Sequence, residues 1–254
     1  MKVLVINPNT SQFVTDKVCQ TALDAVGSAV EVVGVTGRAG ASIVGTRSEC
    51  AFAAQEALAL AAEHADGYDG VLLAISFDTG LDALREMLDI PVVGMSEAGM
   101  SAAMSVSRKF SMLTFGNRAA PLYQELVEHY GWASRCAGVV SLPPLSQPEL
   151  EDTKRVTPKL IEAIDQAAHQ DGAEAMVLAG AVFAGIADDI RDQVSIPVVD
   201  GIVAGIHQLK TLNVLNLYKP KAGSLAFPPA KTLSGMSPAL TKTFQAFADT
   251  PKKK

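Results

Sequence analysis

The chain has 254 residues, 48% of them hydrophobic, with a formal charge of -6 and a pI near 5.2. That length suits one large or two small domains, and the apolar content supplies a real core. An acidic chain without a basic stripe does not fit nucleic acid, and no apolar run approaches the roughly 20 residues a membrane helix needs.

Taken in order, Lys2 to Ile6 reads KVLVI, a strand buried on both faces. Asn7-Pro8-Asn9-Thr10-Ser11 breaks it, with Thr10 or Ser11 placed to cap a helix from about Gln12 to Val26. Val30 to Val35 is a second strand, Gly37 to Gly45 a small-residue loop, and Ser48 to Ala65 an alanine-rich helix. The strand Val71 to Ile75 leads through Ser76-Phe77-Asp78-Thr79-Gly80 into a short helix, Leu81 to Leu88. A strand Pro91 to Gly94 and a helix Ser96 to Ser107, capped by Ser96, follow. Phe110 to Phe115 repeats the character of the first strand and ends in a polar turn, Gly116-Asn117. Then come a helix Arg118 to Tyr130, a weak strand Gly138 to Leu142, and one long amphipathic helix Glu149 to Gln170. The strand Met176 to Leu178, helix Ile186 to Val194, strand Pro197 to Val199 and helix Ile202 to Leu215 close the regular pattern. A proline-marked segment and a last short helix, Ser237 to Ala248, complete the chain.

One unit is written twice. VLLAISFDTG, Val71 to Gly80, is matched by MVLAGAVFAG, Met176 to Gly185, and the runs Ile90-Pro91-Val92-Val93-Gly94 and Ile196-Pro197-Val198-Val199-Asp200 follow each in turn. Alternating strands and helices predict an α/β fold with mainly parallel sheets. The repeat predicts two pseudo-symmetric lobes, residues 1–100 and 101–206, with residues from about 207 to 254 packing back on the first. Ligands of such sheets bind outside the carboxyl ends of the strands, so the site is expected in the cleft between the lobes. Asn7 to Ser11, Ile75 to Gly80, Thr114 to Arg118 and Ala179 to Gly185 are expected to line it.

Within those loops the chemistry-bearing residues are few. Ser76 ends an apolar run and offers a hydroxyl. Asp78 is either a helix cap or a carboxylate whose pKa burial raises for acid–base work. Thr79 and Gly80 present main-chain N–H groups at a helix start, suited to an oxyanion. Gly180 and Ala181 allow a tight turn with N–H groups toward a ligand. Phe77, Val182 and Phe183 make apolar walls, and Asn9, Thr10 and Thr114 are placed to contact substrate. Glu97 and Asp200 read as helix-start charges. Cys19, Cys50 and Cys136 are scattered, and His64, His129, His169 and His207 lie apart on helix faces, so no metal is expected. An odd, unpaired cysteine set and a strand pattern starting at Lys2 point to the cytoplasm.

The opening INPNTS, the segments DGAEAMVLAGA and IPVVDGIVAGI, and the late FPPAKTL resemble the aspartate/glutamate racemase superfamily, on its hydantoin and allantoin racemase branch. The resemblance covers residues 1 to about 235. It implies two pseudo-symmetric α/β lobes, no cofactor, a small-molecule substrate and a homo-oligomer. It also implies an isomerase acting on a small cyclic amide or carboxylate at an acidified carbon. Members use one cysteine per lobe on opposite faces of that carbon. Here those positions fall on Ile75 and Gly180, or one residue later on Ser76 and Ala181, and neither pair is cysteine. Ser76 and Asp78 are therefore the expected reacting groups. The alternatives are a lyase, decarboxylase or hydrolase using one-sided Ser/Asp chemistry on the same scaffold, or a binder without catalysis.

Overall fold

Four strands, β1 (Lys2–Asn7), β2 (Glu31–Thr36), β3 (Gly70–Leu73) and β4 (Val92–Gly94), form one parallel sheet in the order β2-β1-β3-β4. Four more, β5 (Phe110–Phe115), β6 (Cys136–Leu142), β7 (Ala175–Leu178) and β8 (Val198–Asp200), form a second in the order β6-β5-β7-β8. The computed structural model from which this is read describes residues 1–116 and 118–247. The α/β class and the two-lobe, parallel-sheet plan expected from the repeat are both present. Corresponding strands even share register, with Ile6 beside Leu73 and Leu73 beside Gly94 in the first sheet, and Leu113 beside Leu178 and Leu178 beside Asp200 in the second.

The continuous apolar runs form central strands because both faces are covered. Val3, Leu4, Val5 and Ile6 of β1 and Val71, Leu72 and Leu73 of β3 are fully buried, and each such side chain contributes roughly 2 kcal/mol of transfer free energy. The helices are α1 (Gln12–Val26), α2 (Arg47–His64), α3 (Leu81–Met87), α4 (Met95–Val106), α5 (Ala119–His129), α6 (Gln147–Glu151), α7 (Thr157–Gln166), α8 (Ile186–Ile190), α9 (Gly201–Val214) and α10 (Pro238–Ala246). α4 follows the first sheet yet packs on β7 and β8, while α9 follows the second sheet yet packs on β3, β4 and α1. The two helices also pack on each other, and α10 lies on α2. Residue 100, the expected lobe boundary, falls inside α4.

Several local expectations change. The long helix from Glu149 to Gln170 is broken into α6, a 3-10 turn at Thr153–Val156, α7 and a wide turn at Ala167–Asp171. Pro158 lacks an N–H and is tolerated in the first turn of α7, not inside a longer helix. The helix expected to reach Val194 stops at Ile190 and continues as a 3-10 turn to Gln193. α4 starts at Met95, so Ser96 lies inside it and is not its cap. Ser11 does stand at the N-terminus of α1, but its hydroxyl donates to Ser42 O, 2.6 Å away, and accepts from no N–H of the helix. Asn117 and Ala248 lie outside the described residues. No helix among the described residues is long and apolar enough to cross a membrane.

Candidate active site

The carboxyl ends of β1, β3, β5 and β7 converge on a cavity of about 350 Å3 between the two sheets. Two turns of matching construction face each other across it. Ala74 N–H donates to Ile6 O and Asp78 N–H to Ile75 O; in the other lobe Ala179 N–H donates to Leu113 O and Phe183 N–H to Gly180 O. The N–H groups of Ser76 and Phe77, and of Ala181 and Val182, have no hydrogen-bond partner among the described residues. All four residues line the cavity.

Ser76 is the polar side chain at its floor. Its hydroxyl lies 2.5 Å from the Tyr123 hydroxyl, which also donates to Ala179 O at 3.2 Å. Tyr123 therefore joins the first turn to the strand end of the second. Its ring stacks on Phe77 with centroids 4.4 Å apart. Burial pushes the phenol pKa up, against hydrogen bonds from Ser76 and Thr114 that lower it, so the hydroxyl is neutral and a donor. Tyr123 was not foreseen. At i,i+4 spacing from Ala119 and Val127 it reads as a core residue of α5, and it is indeed buried.

Asp78 is brought to a different place. Its carboxylate does not line the cavity; Oδ1 accepts from Ser96 N–H at 3.1 Å and Oδ2 from Glu97 N–H at 2.7 Å. It caps α4, not the adjacent α3. The Tyr130 hydroxyl, just beyond α5, donates to Oδ2 at 2.8 Å. Desolvation pushes the carboxyl up to about 7, although the Ser96, Glu97 and Tyr130 hydrogen bonds pull it down. Asp78 also holds a left-handed backbone, φ 48°, a region short polar side chains tolerate better than most. A methyl group on Gly94 would sit 2.5 Å from its carboxylate, so the glycine makes room for it.

Of the remaining expected contacts, Asn9, Phe77, Thr114, Gly180, Ala181 and Val182 line the cavity. Asn9 spends its Oδ1 on Ser11 N–H and on the Asn7 amide, both at 2.9 Å. Thr10, Thr79, Gly80 and Phe183 do not line it. Thr10 is exposed, its N–H bonded to Ala41 O. Thr79 faces Cys50, and Gly80 takes a left-handed φ of 87° to start α3. Phe183 is buried behind Gly180, edge-on to Phe115.

The rim carries the charges. Glu49 and Arg118 both line the opening, and Glu49 Oε2 accepts from Gly45 N–H at 2.8 Å, tying α2 to the flap-like loop of Ile43 and Val44. Leu145 and Leu150 add apolar wall from the second lobe. None of the cysteines lines the cavity, and no cluster of three or more His, Cys, Asp or Glu able to hold a metal occurs among the described residues. All four histidines are exposed.

Residues 3–209 match the family model described as Asp/Glu/Hydantoin racemase. A hydantoin racemase of Rhizobium meliloti is 31% identical over 239 residues, spanning 92% of this chain and 98% of that protein. The structure of an allantoin racemase from Klebsiella pneumoniae superposes with a TM-score of 0.89 at 32% identity, over 95% of this chain and 99% of that one. An allantoin racemase from Pseudomonas fluorescens gives 0.85 at 29% identity, over 92% and 100%.

Proposed function

Because the chain belongs to the Asp/Glu/hydantoin racemase family, and is thus a racemase-like isomerase, we propose that it acts on a small cyclic amide or carboxylate at a carbon acidified by a neighbouring carbonyl. The observation that carries this reading is the pair of facing turns, each with two N–H groups that have no partner among the described residues, on residues that line one cavity. Proton loss from such a carbon moves charge onto the carbonyl oxygen. Fixed N–H donors at that oxygen stabilise the enolate without reorganising, the largest single contribution in many enzymes. The Phe77 and Val182 side chains and the wall of Leu145 and Leu150 hold the apolar part of the substrate and strengthen these interactions by excluding water.

Ser76 is the reacting group on the first face, with Tyr123 behind it as the neutral partner that orients the Ser76 hydroxyl, its own proton being given to Ala179 O. Ser76 has no neighbouring base among its hydrogen-bond partners, so it serves as the donor that returns a proton to the carbon, while the proton lost from the carbon passes to solvent water in the cavity. Asp78 supports this turn and the start of α4, and its reach to the substrate is indirect.

Incubation with enantiopure 5-substituted hydantoins and allantoin in D2O tests the reading. Loss of the α-proton signal, followed by NMR, together with decay of optical rotation, is expected. No exchange and no optical change across the panel would overturn it.

A second reading, a decarboxylating lyase, is favoured by the asymmetry of the two turns: the first carries the Ser76 hydroxyl, while Gly180, Ala181 and Val182 of the second carry no polar side chain. Loss of CO2 leaves the electron pair on carbon as an enolate and then needs one acid, not an acid and a base. Release of CO2 from a disubstituted malonate, with no exchange of hydantoin protons, would select it.

A further inference from the structure

The geometry points to Lys17 as a positioning residue that holds the second-lobe turn in shape from the first lobe. Lys17 lies on α1, and its ammonium donates to Val182 O at 2.6 Å and to Thr153 Oγ1 at 2.6 Å. Both bonds cross from the first lobe to the second. α1 packs directly on the Ala181–Phe183 turn, so the contact is part of a continuous surface. Thr153 is itself buried.

The turn needs such a clamp. Its internal bonds are Phe183 N–H to Gly180 O at 2.9 Å and Ala184 N–H to Ala181 O at 3.2 Å. The Val182 carbonyl shares a rigid peptide plane with the Phe183 N–H, so fixing one fixes the other. The matching turn of the first lobe is held by α4, through Ser96 Oγ to Ser76 O at 2.6 Å and through Asp78. The second-lobe turn has no carboxylate at the place of Asp78, where Phe183 stands. Asp200 holds that turn only at its far end, through Gly185 N–H at 2.6 Å, and a charged donor from α1 holds the Val182 peptide. Burial lowers the Lys17 pKa, while Asp200, Asp152 and Asp189 favour its charge. A half-buried cation with its hydrogen bonds spent on a carbonyl and a buried hydroxyl is held at both.

The inference rests on the reading of the Ala181 and Val182 N–H groups as donors to the substrate oxygen, but its first test does not. Amide hydrogen exchange, followed by mass spectrometry, compares peptides spanning residues 179–186 and 74–81 in the wild type and in Lys17→Met. Exchange at least tenfold faster in 179–186, with 74–81 unchanged, is expected, and Lys17→Arg should restore protection. Unchanged exchange in 179–186, or equal acceleration in both segments, overturns the role. If Lys17→Met does not fold, Lys17→Gln, which keeps a shorter neutral donor, is compared in the same way and against the same outcomes. With a hydantoin that the wild type turns over, Lys17→Met should lower kcat about tenfold and leave KM within about twofold, with recovery in Lys17→Arg. A uniform loss explained by reduced folded fraction would overturn it there. If the wild type turns over none, the proposed activity fails while the exchange comparison still decides the clamp.

Discussion

The two lobes share strand order, register and the backbone of the cavity turns, and they differ in where each keeps its buried carboxylate. In the first, Asp78 sits in the turn after β3 and reaches forward to the start of α4, with Gly94 leaving it space. In the second, the position matching Asp78 is Phe183 and the position matching Gly94 is Asp200. Asp200 sits at the end of β8, accepts from Ile202 and Val203 N–H at the start of α9, and reaches back to Gly185 N–H at 2.6 Å. Each lobe thus ties its turn to its crossing helix with one acid, supplied from opposite ends of the same junction. A helix start needs its orphan N–H groups satisfied, and either end can supply the acceptor. Putting it in the turn ties the segment that carries Ser76 directly to α4. Putting it on the strand leaves the second turn with Gly180 and Ala181 at the cavity and the Phe183 ring buried behind them.

The sharpest way to break this arrangement is Asp78→Ala. It orphans two main-chain donors and the Tyr130 hydroxyl and leaves an alanine at positive φ, so a loss of roughly 4 kcal/mol is expected in denaturant titration.

The next largest effect is a pH dependence. The folded Asp78 carboxyl titrates at about 7, against an ordinary value of 3.8. A raised folded pKa contributes stability that is complete below the unfolded value and lost as pH climbs through the folded one. Unfolding free energy should therefore fall by about 3 kcal/mol between pH 5 and pH 8. Asp200, whose pKa is also raised, mainly by burial, acts in the same direction. Asp78→Asn should flatten most of the slope; a wild-type profile level over this range would contradict the buried, weakly acidic carboxyl.

Ser76→Ala removes the first-face hydroxyl but leaves the turn and its N–H groups. Turnover should fall about a hundredfold, near 2.7 kcal/mol of barrier, while thermal stability changes little. The smallest expected effect is Gly94→Ala, whose methyl group meets the Asp78 carboxylate at 2.5 Å. It should cost about 2 kcal/mol by overpacking. Combined with Asp78→Ala it should cost almost nothing more, and additive losses would show that the two positions are not coupled.

Much of this was legible in the chain. The runs KVLVI and MVL become central strands because an unbroken apolar run in this setting has helices on both sides. The twin turns were visible because the duplicated segments keep the same small and apolar residues. Ser76 was found as the polar end of such a run. Tyr123 was not, because helical spacing marks it as core and only the tertiary fold aims its hydroxyl at Ser76. Asp78 was seen as cap or catalyst, but the helix it caps begins some seventeen residues further on, at Met95, and no local signal announces that reach. Arg118 lines the rim as the end of a loop expected there, whereas Glu49 joins it from α2, which only the packing of that helix against the cavity brings about.

The crossed helices carry a consequence for how the chain is assembled. With α4 seated on β7 and β8, and α9 on β3 and β4, each half hands the other a piece of its core. A fragment ending near residue 94 would leave the faces of β3 and β4 that meet Ile202, Ile206 and Leu209 open to water. A fragment starting near residue 108 would lack Met100 and Ala103, both buried in the intact chain. The unit is written twice, but each copy borrows a helix from the other to cover its sheet. The two halves are therefore expected to unfold together, as one transition in denaturant, because each core is completed by a helix from the other.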